Sequence, residues 1–327
     1  MLLSFAAILA GLLLLVWGAD RFITGAAALA RNLGVAPLLI GLTVVGIGTS
    51  APEILVSTMA AWQGNPGLAI GNAIGSNIAN IGLILGVTAM IAPLAVHSGI
   101  LRREYPLLLG VSLVVWLLLA DHYLGRLDGL ILVVGLIAAT LALIHIGRSR
   151  GASDPLPAEF DAEIRSDLSI RAALGWFGLG LGVLLAGSRL LVWGAVEVAQ
   201  AFGVSDLVIG LTIVAIGTSL PELAASIASA LKREHDIAIG NVIGSNLYNL
   251  LAVLCVPGLL SPGPVAGAVV TRDLPVMMLL TVALYLLGGG LGNHHHIRRG
   301  EGLLLTLAFV AYQAWLFTDG AAIGAGT

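Results

Sequence analysis

The sequence predicts an all-α integral membrane protein: ten transmembrane helices arranged as two inverted five-helix repeats. Three observations carry this. Of 327 residues, 58% are hydrophobic and only 10% are charged, with mean hydropathy +1.02, far from the roughly 25% charged residues of a soluble domain. Apolar runs recur at regular intervals, each long enough to cross a ~30 Å hydrocarbon layer as a helix. Finally, two stretches are nearly the same sentence. Residues 34–86 contain GLTVVGIGTSAPE and AIGNAIGSNIAN, residues 203–255 contain GLTIVAIGTSLPE and AIGNVIGSNLYN, and at a constant offset of 169 they share 26 of 53 positions.

The ten spans fall near 2–30, 36–61, 68–92, 104–120, 126–147, 172–201, 205–231, 237–259, 273–290 and 301–318. The first has no basic stretch before it, so it reads as a span and not as a cleavable leader. The second and third carry one copy of the repeated motif, at 41–80; the seventh and eighth carry the other, at 210–249. The 43 glycines suit close helix packing and helix breaks. Strand alternation is absent, which excludes a membrane β-barrel. The single cysteine, Cys255, excludes an internal disulfide.

Net charge is −3, but position says more than the sum. Of fifteen Lys and Arg, only Arg126, Arg189 and Arg272 fall on or toward one side of the ten-span arrangement; the rest fall on the other. The positive-inside rule then puts both termini outside a prokaryotic plasma membrane and the 148–171 connection in the cytoplasm. That connection, with Pro155 and Pro157 and mixed charge, is the only clearly hydrophilic stretch and reads as a linker. It separates a first repeat, 1–147, from a second, 172–327. Five spans per half is an odd number, so the halves enter from opposite faces and relate by a pseudo-two-fold axis in the membrane plane.

The polar residues inside the repeats carry the chemistry. Gly46, Gly48 and Pro52 interrupt the second span, so the helix should break around 48–52. Thr49, Ser50 and Glu53 can then share one side of the broken turn. In the third span Asn72, Ser76 and Asn80 stand at i, i+4 and i+8. The second half repeats both features with Thr218, Ser219, Pro221 and Glu222, then Asn241, Ser245 and Asn249. Two acids at matching positions in apolar repeats mark a cation pathway at a repeat interface. Carboxylate, hydroxyl, amide and carbonyl oxygens suit a hard cation such as Ca²⁺ or Na⁺, and no Cys or His cluster marks zinc or copper. Asn77 and Asn246 point off the polar face and read as structural. His294, His295 and His296 adjoin Arg298 and Arg299 and read as a solvated basic turn.

GTSAPE and GTSLPE, each followed 23 residues later by the serine of GSN and an Asn four beyond, resemble the α-repeats of the cation/calcium antiporter superfamily, above all the prokaryotic sodium/calcium exchangers. The resemblance covers essentially the whole chain. It implies ion coordination by Glu53 and Glu222, with Thr49, Ser50, Ser76, Asn80, Thr218, Ser219, Ser245 and Asn249, and with the backbone carbonyls of Gly46 and Ala215. It implies alternating access, the long first and sixth spans sliding across a core of spans two, three, seven and eight. Transported Ca²⁺ and Na⁺ are then the partners, with the lipid bilayer, and neither a cofactor, a nucleic acid nor an obligate protein partner is expected. Archaeal exchangers and the potassium-dependent branch place Asp where this chain has Asn249; animal exchangers also have Asn there, so potassium dependence is disfavoured and exchange is not. Proton/calcium exchangers usually carry GNxxE in place of GTSxPE. The competing readings are H⁺/Ca²⁺ or other cation exchange on the same scaffold, a cation channel, and an intramembrane enzyme. Two inverted repeats in one chain suit a gated central site better than a pore, and no HExxH or GxSxG accompanies the acids.

Overall fold

The computed structural model describes residues 2–32, 50–96, 98–149, 168–204, 206–231, 235–288 and 296–324. Within them the chain is almost wholly helical. The first half holds α1 (Leu2–Asn32), α2 (Ala51–Trp62), α3 (Pro66–Ile91), α4 (Ser98–Leu118) and α5 (Arg126–Ser149). The second holds α6 (Ile170–Ala201), α7 (206–218), α8 (Leu220–Leu231), α9 (235–260), α10 (Val269–Leu287) and α11 (Arg299–Gly324). Four two-residue strands, unforeseen in the sequence, pair antiparallel between the helices: β1 (Leu94–Ala95) with β4 (His296–Ile297), and β2 (Tyr123–Leu124) with β3 (Gly263–Pro264). Each is too short to show the alternation by which strands are read from sequence.

Among the described residues, three helices are long and apolar enough to cross a membrane on length and composition alone: Pro66–Ile91, Ala238–Leu260 and Val269–Leu287. Shorter apolar stretches lie in Leu2–Gly18, Glu104–Leu118 and Ile170–Val183. Arg21 lies in α1, Arg189 and Glu197 lie in α6, and most of the expected second span lies outside the described residues.

Helix register is not uniform. Among the described residues, four stretches form π-turns instead of α-turns: Asn80–Leu85 in α3, Gly210–Val214 in α7, Asn249–Val253 in α9 and Val269–Asp273 at the start of α10. The Leu254 amide, for example, donates to the carbonyl of Asn249 at 3.1 Å, five residues back. A π-turn holds an extra residue, so side chains beyond it rotate off the face that an α-helical count assigns.

Burial follows the helices. α3 and α9 lie at the centre, with Ile74, Ile78, Leu108, Leu119, Leu250 and Leu274 fully buried around them. A second apolar cluster joins α1, α2 and α6 through Leu15, Val56, Ala60, Leu191 and Ala195. The outside is also apolar: Leu13 is 72% exposed, Leu127 70% and Leu279 70%. Such a surface has no place in water and a ready one in lipid.

α1 and α6 pack antiparallel along most of their length, and the sequence explains how. Glycines leave room for backbone against backbone. A Cβ added at Gly11 would stand 2.9 Å from the amide nitrogen of Leu191, one at Gly187 3.0 Å from that of Leu15, and one at Gly194 2.7 Å from the carbonyl of Ser4. At the other end Phe22 meets Phe177 with ring centroids 4.8 Å apart, and the Arg21 guanidinium lies 4.8 Å over the Trp176 ring. Gly11→Leu or Gly187→Leu therefore forces the pair apart and should destabilise the protein by about 1–3 kcal/mol. Gly178→Leu, where a Cβ meets nothing within 4 Å, should leave stability unchanged. Thermal unfolding in detergent compares the three.

Candidate ion-binding site

Each acid sits in the first turn of a helix that starts on a Ser-x-Pro break. Ser50 has φ −83° and ψ 0°, and Ser219 has φ −86° and ψ 6°. α2 begins after Ser50 and α8 after Ser219, carrying Glu53 and Glu222. Pro221 has no N–H, so the carbonyl of Gly217 loses its helical donor, as a proline inside a helix requires. The break expected in the sequence is present in the second half, and in the first half Ser50 adopts the same conformation. A helix start also favours negative charge, because its free N–H groups point outward along the axis.

The halves cross over. α2, which bears Glu53, packs against the π-turn opened by Asn249, while α8, which bears Glu222, packs against the π-turn opened by Asn80. The polar residues are sealed inside: Ser50, Glu53, Ser76, Asn80, Thr218, Glu222, Ser245 and Asn249 are fully buried, and Ser219 is 1% exposed. The Ser219 hydroxyl donates to Glu53 Oε1 at 3.2 Å, joining the two repeated motifs directly. Asn72 is a clip. Its Nδ2 donates to the Glu53 carbonyl at 3.0 Å and to Ser57 Oγ at 2.9 Å, and its Oδ1 accepts from the Thr218 hydroxyl at 3.2 Å. One bond of this clip recurs in the second half, where Asn241 Nδ2 donates to Ser226 Oγ at 3.4 Å.

What these bonds leave over defines the chemistry. Among the described residues, Ser50 Oγ, Glu53 Oε2, Ser76 Oγ, Asn80 Oδ1 and both side-chain polar atoms of Asn249 are buried without a hydrogen-bond partner. An uncompensated buried polar atom costs about 1–3 kcal/mol, which makes these atoms candidates for holding a ligand. Apart from the Asn249 amide nitrogen, these atoms are oxygens, the donors a hard cation takes.

Other expected residues have different positions. Thr49, Gly46, His294 and His295 lie outside the described residues. The Ala215 carbonyl is occupied within its helix, accepting from the Ser219 amide at 3.2 Å and the Thr218 hydroxyl at 3.4 Å. His296 is exposed on β4. Asn77 donates to Met277 Sδ at 3.6 Å. Asn246, expected off the polar face, instead accepts at Oδ1 from Asn80 Nδ2 at 2.9 Å. Two further serines join this network, Ser57 and Ser226, and each is the only hydroxyl repeated at the 169-residue offset within its α2 or α8 stretch after the acid. That repetition was the available signal.

These features define a helical membrane transporter built round a buried, oxygen-lined site. The chain belongs to the sodium/calcium exchanger protein family, whose profile it matches over residues 3–145 and 172–318. It is 49% identical over 319 residues to a candidate antiporter, CaxA, of Alkalimonas amylolytica, covering 98% of this chain and 100% of that one. It is 31% identical to the sodium/calcium exchanger MaX1 of Methanosarcina acetivorans, over 96% of this chain and 98% of that one. Its fold resembles that of the sodium-calcium exchanger NCX_Mj, solved after soaking with 2.5 mM Na⁺ and 10 mM Sr²⁺. The TM-score is 0.69 at 34% identity, over 96% of this chain and 98% of that one. The protein is thus a helical membrane exchanger of the cation/calcium antiporter kind, and the family is one of transporters, not of enzymes.

The Asn80–Asn246 bond leads to a stability prediction. Asn246→Leu keeps the volume but strands a buried Nδ2, and should cost about 1–3 kcal/mol. Asn77→Leu loses only a long contact to sulfur and should cost less. Chemical unfolding of both variants in detergent ranks them, and equal losses would contradict the assignment of Asn246 as the group that orients Asn80.

Proposed function

We propose that the protein is a Na⁺-driven Ca²⁺ antiporter of a prokaryotic plasma membrane, working by alternating access at one midplane site. In this reading residues 1–147 and 172–327 are inverted five-span repeats, 148–171 is a cytoplasmic linker, and both termini lie outside. The ion is held by Glu53 and Glu222 with Thr49, Ser50, Ser76, Asn80, Thr218, Ser219, Ser245 and Asn249, and with the carbonyl of Gly46; the Ala215 carbonyl, which already accepts two hydrogen bonds within its helix, leaves the set. One observation carries the reading: buried oxygens from both halves, without hydrogen-bond partners, on the helix that bears Glu53 and on helices packed against it. The names of MaX1 and NCX_Mj support the choice of ions, and the double match of the family profile supports the division into halves.

The charge arithmetic explains exchange. Two carboxylates are neutralised by one Ca²⁺ or by two Na⁺, so one cargo displaces the other without stranding charge in the low-dielectric interior. Switching access while the buried carboxylates are unneutralised would be costly, which couples the two fluxes. Asn249 contributes oxygen without a third charge, so the balance stays at two.

Glu53→Gln and Glu222→Gln preserve shape and remove one charge each. Each should lower Ca²⁺ transport in proteoliposomes by about a hundredfold or more, the equivalent of about 3 kcal/mol lost at a buried charge. Transport at native rates by both variants would sink the central-site reading. For the native protein, an outward Na⁺ gradient should drive ⁴⁵Ca²⁺ uptake that persists when a protonophore collapses the pH gradient. Uptake that follows only the pH gradient would make the protein an H⁺/Ca²⁺ exchanger on the same scaffold. Asn249→Ala should weaken the apparent Ca²⁺ affinity by about tenfold, as befits one lost oxygen ligand, and native affinity would remove Asn249 from the set.

A further inference from the structure

Away from the site, a cavity of about 480 Å³ opens between the end of α2 and the side of α6. Gln63 walls it on one side, and Arg189, Leu190, Trp193, Val196 and Glu197 wall it on the other. Arg189, Trp193 and Glu197 stand at i, i+4 and i+8, one stripe of the helix. Among the described residues, neither Arg189 nor Glu197 has an ion pair or a hydrogen bond. Both side chains are exposed, and on a long apolar helix set in lipid an exposed guanidinium facing a cavity without an acid calls for a ligand.

The order of the charges says which ligand. α6 ends at Ala201 in a turn with Gly203 at φ 67°, and α2 ends at Trp62 beside Gly64 at φ 76°. Both helices stop at this end, so the mouth of the cavity faces the aqueous boundary. Glu197 lies four residues before the helix end, about 6 Å of rise, and Arg189 lies twelve before it, about 18 Å. The positive group is therefore the deeper one and the negative group the outer one. Trp193, 43% exposed, sits between them, as aromatic rings do at membrane interfaces. Leu190 and Val196 supply an apolar wall.

We propose that this cavity binds the headgroup of a zwitterionic phospholipid with a primary ammonium, of the phosphatidylethanolamine type. The lipid phosphate pairs with Arg189, the ammonium pairs with Glu197, and the acyl stem runs along Leu190 and Val196. In such a lipid the phosphate lies nearer the hydrocarbon and the ammonium nearer the water, the same order as the two protein charges. A simple anion would meet Arg189 but would be repelled by Glu197, and an anionic lipid leaves Glu197 unpaired. The two charges stand eight residues apart, about 12 Å along the axis, a gap that two long side chains and a phosphoethanolamine between them can fill.

The test is native mass spectrometry of the full chain in detergent, with phosphatidylethanolamine, phosphatidylglycerol or inorganic phosphate added. The native protein should retain one phosphatidylethanolamine about tenfold or more tightly than phosphatidylglycerol, the expected yield of a charge-assisted contact. Arg189→Gln should lose both lipids. Glu197→Gln, an exposed change that leaves folding alone, should lose the preference while keeping binding. Equal retention of the two lipids by the native protein would overturn the proposal, as would a preference that survives Glu197→Gln. Thermal stabilisation by inorganic phosphate equal to that by the lipid, and lost in Arg189→Gln, would assign the cavity to a free anion and overturn the lipid reading.

Discussion

A carboxylate inside an apolar helix bundle must be met by donors, and the core of this protein is organised by how Glu53 is met. Its Oε1 takes the Ser219 hydroxyl, its own carbonyl takes the Asn72 amide, and Asn72 in turn takes the Thr218 hydroxyl. Those bonds fix α2 against α3 and fix both against the break between α7 and α8. They also spend donors. Asn72 Nδ2 is used twice within the protein and Asn80 Nδ2 is used by Asn246. Most of what remains unpartnered is acceptor: hydroxyl, carboxylate and amide oxygens. Acceptors whose neighbouring donors are spent elsewhere leave a negative field, the kind that suits the cation site proposed above.

The π-turns are the second device. Asn80 and Asn249 each open one, at equivalent places in the two halves, and π-turns concentrate at functional positions because they leave backbone groups and side chains off the regular ladder. α11 braces three of the four. Gln313 donates to the Leu211 carbonyl at 3.3 Å in the α7 turn, and Phe309 lies against Gly82 in the α3 turn, where a Cβ would stand 2.8 Å from its own. Tyr312 donates to Asp273 Oδ1 at 2.9 Å in the α10 turn, where Arg272 Nε also reaches Asp273 at 2.7 Å. A buried ion pair adds little net stability, but it defines one register for the helices that share it. The last helix thus holds irregular segments that would otherwise relax.

Two kinds of packing share the molecule. Around α3 and α9 the core is dense with Ile and Leu, and polar pairs tie helix to helix. Between α1 and α6 the contact is backbone on backbone through glycine, and the opposite faces of both helices carry exposed Leu and Trp. The second arrangement holds two helices to each other more firmly than to the rest. That is the division of labour expected where one helix pair moves against a fixed core.

Much of this was legible in the chain. Composition dictated a membrane protein, because 58% hydrophobic residues cannot be hidden in so small an interior. The offset of 169 picked out Glu53 and Glu222, and Pro52 and Pro221 announced the helix breaks, because proline's missing donor is a local fact. Residue-by-residue periodicity then reached its limit at Asn80 and Asn249, where the ladder changes from α to π and the face count slips. Asn246 illustrates the rest. On its own helix it seemed to point away from the polar face, and only the packing of α3 from one half against α9 from the other puts its oxygen on Asn80. The sequence by itself determined the class of protein, the acids and the breaks, all consequences of local chemistry and repetition. Which oxygens keep a donor and which are left without one is decided between halves 166 residues apart, and that accounting exists only once the chain has folded.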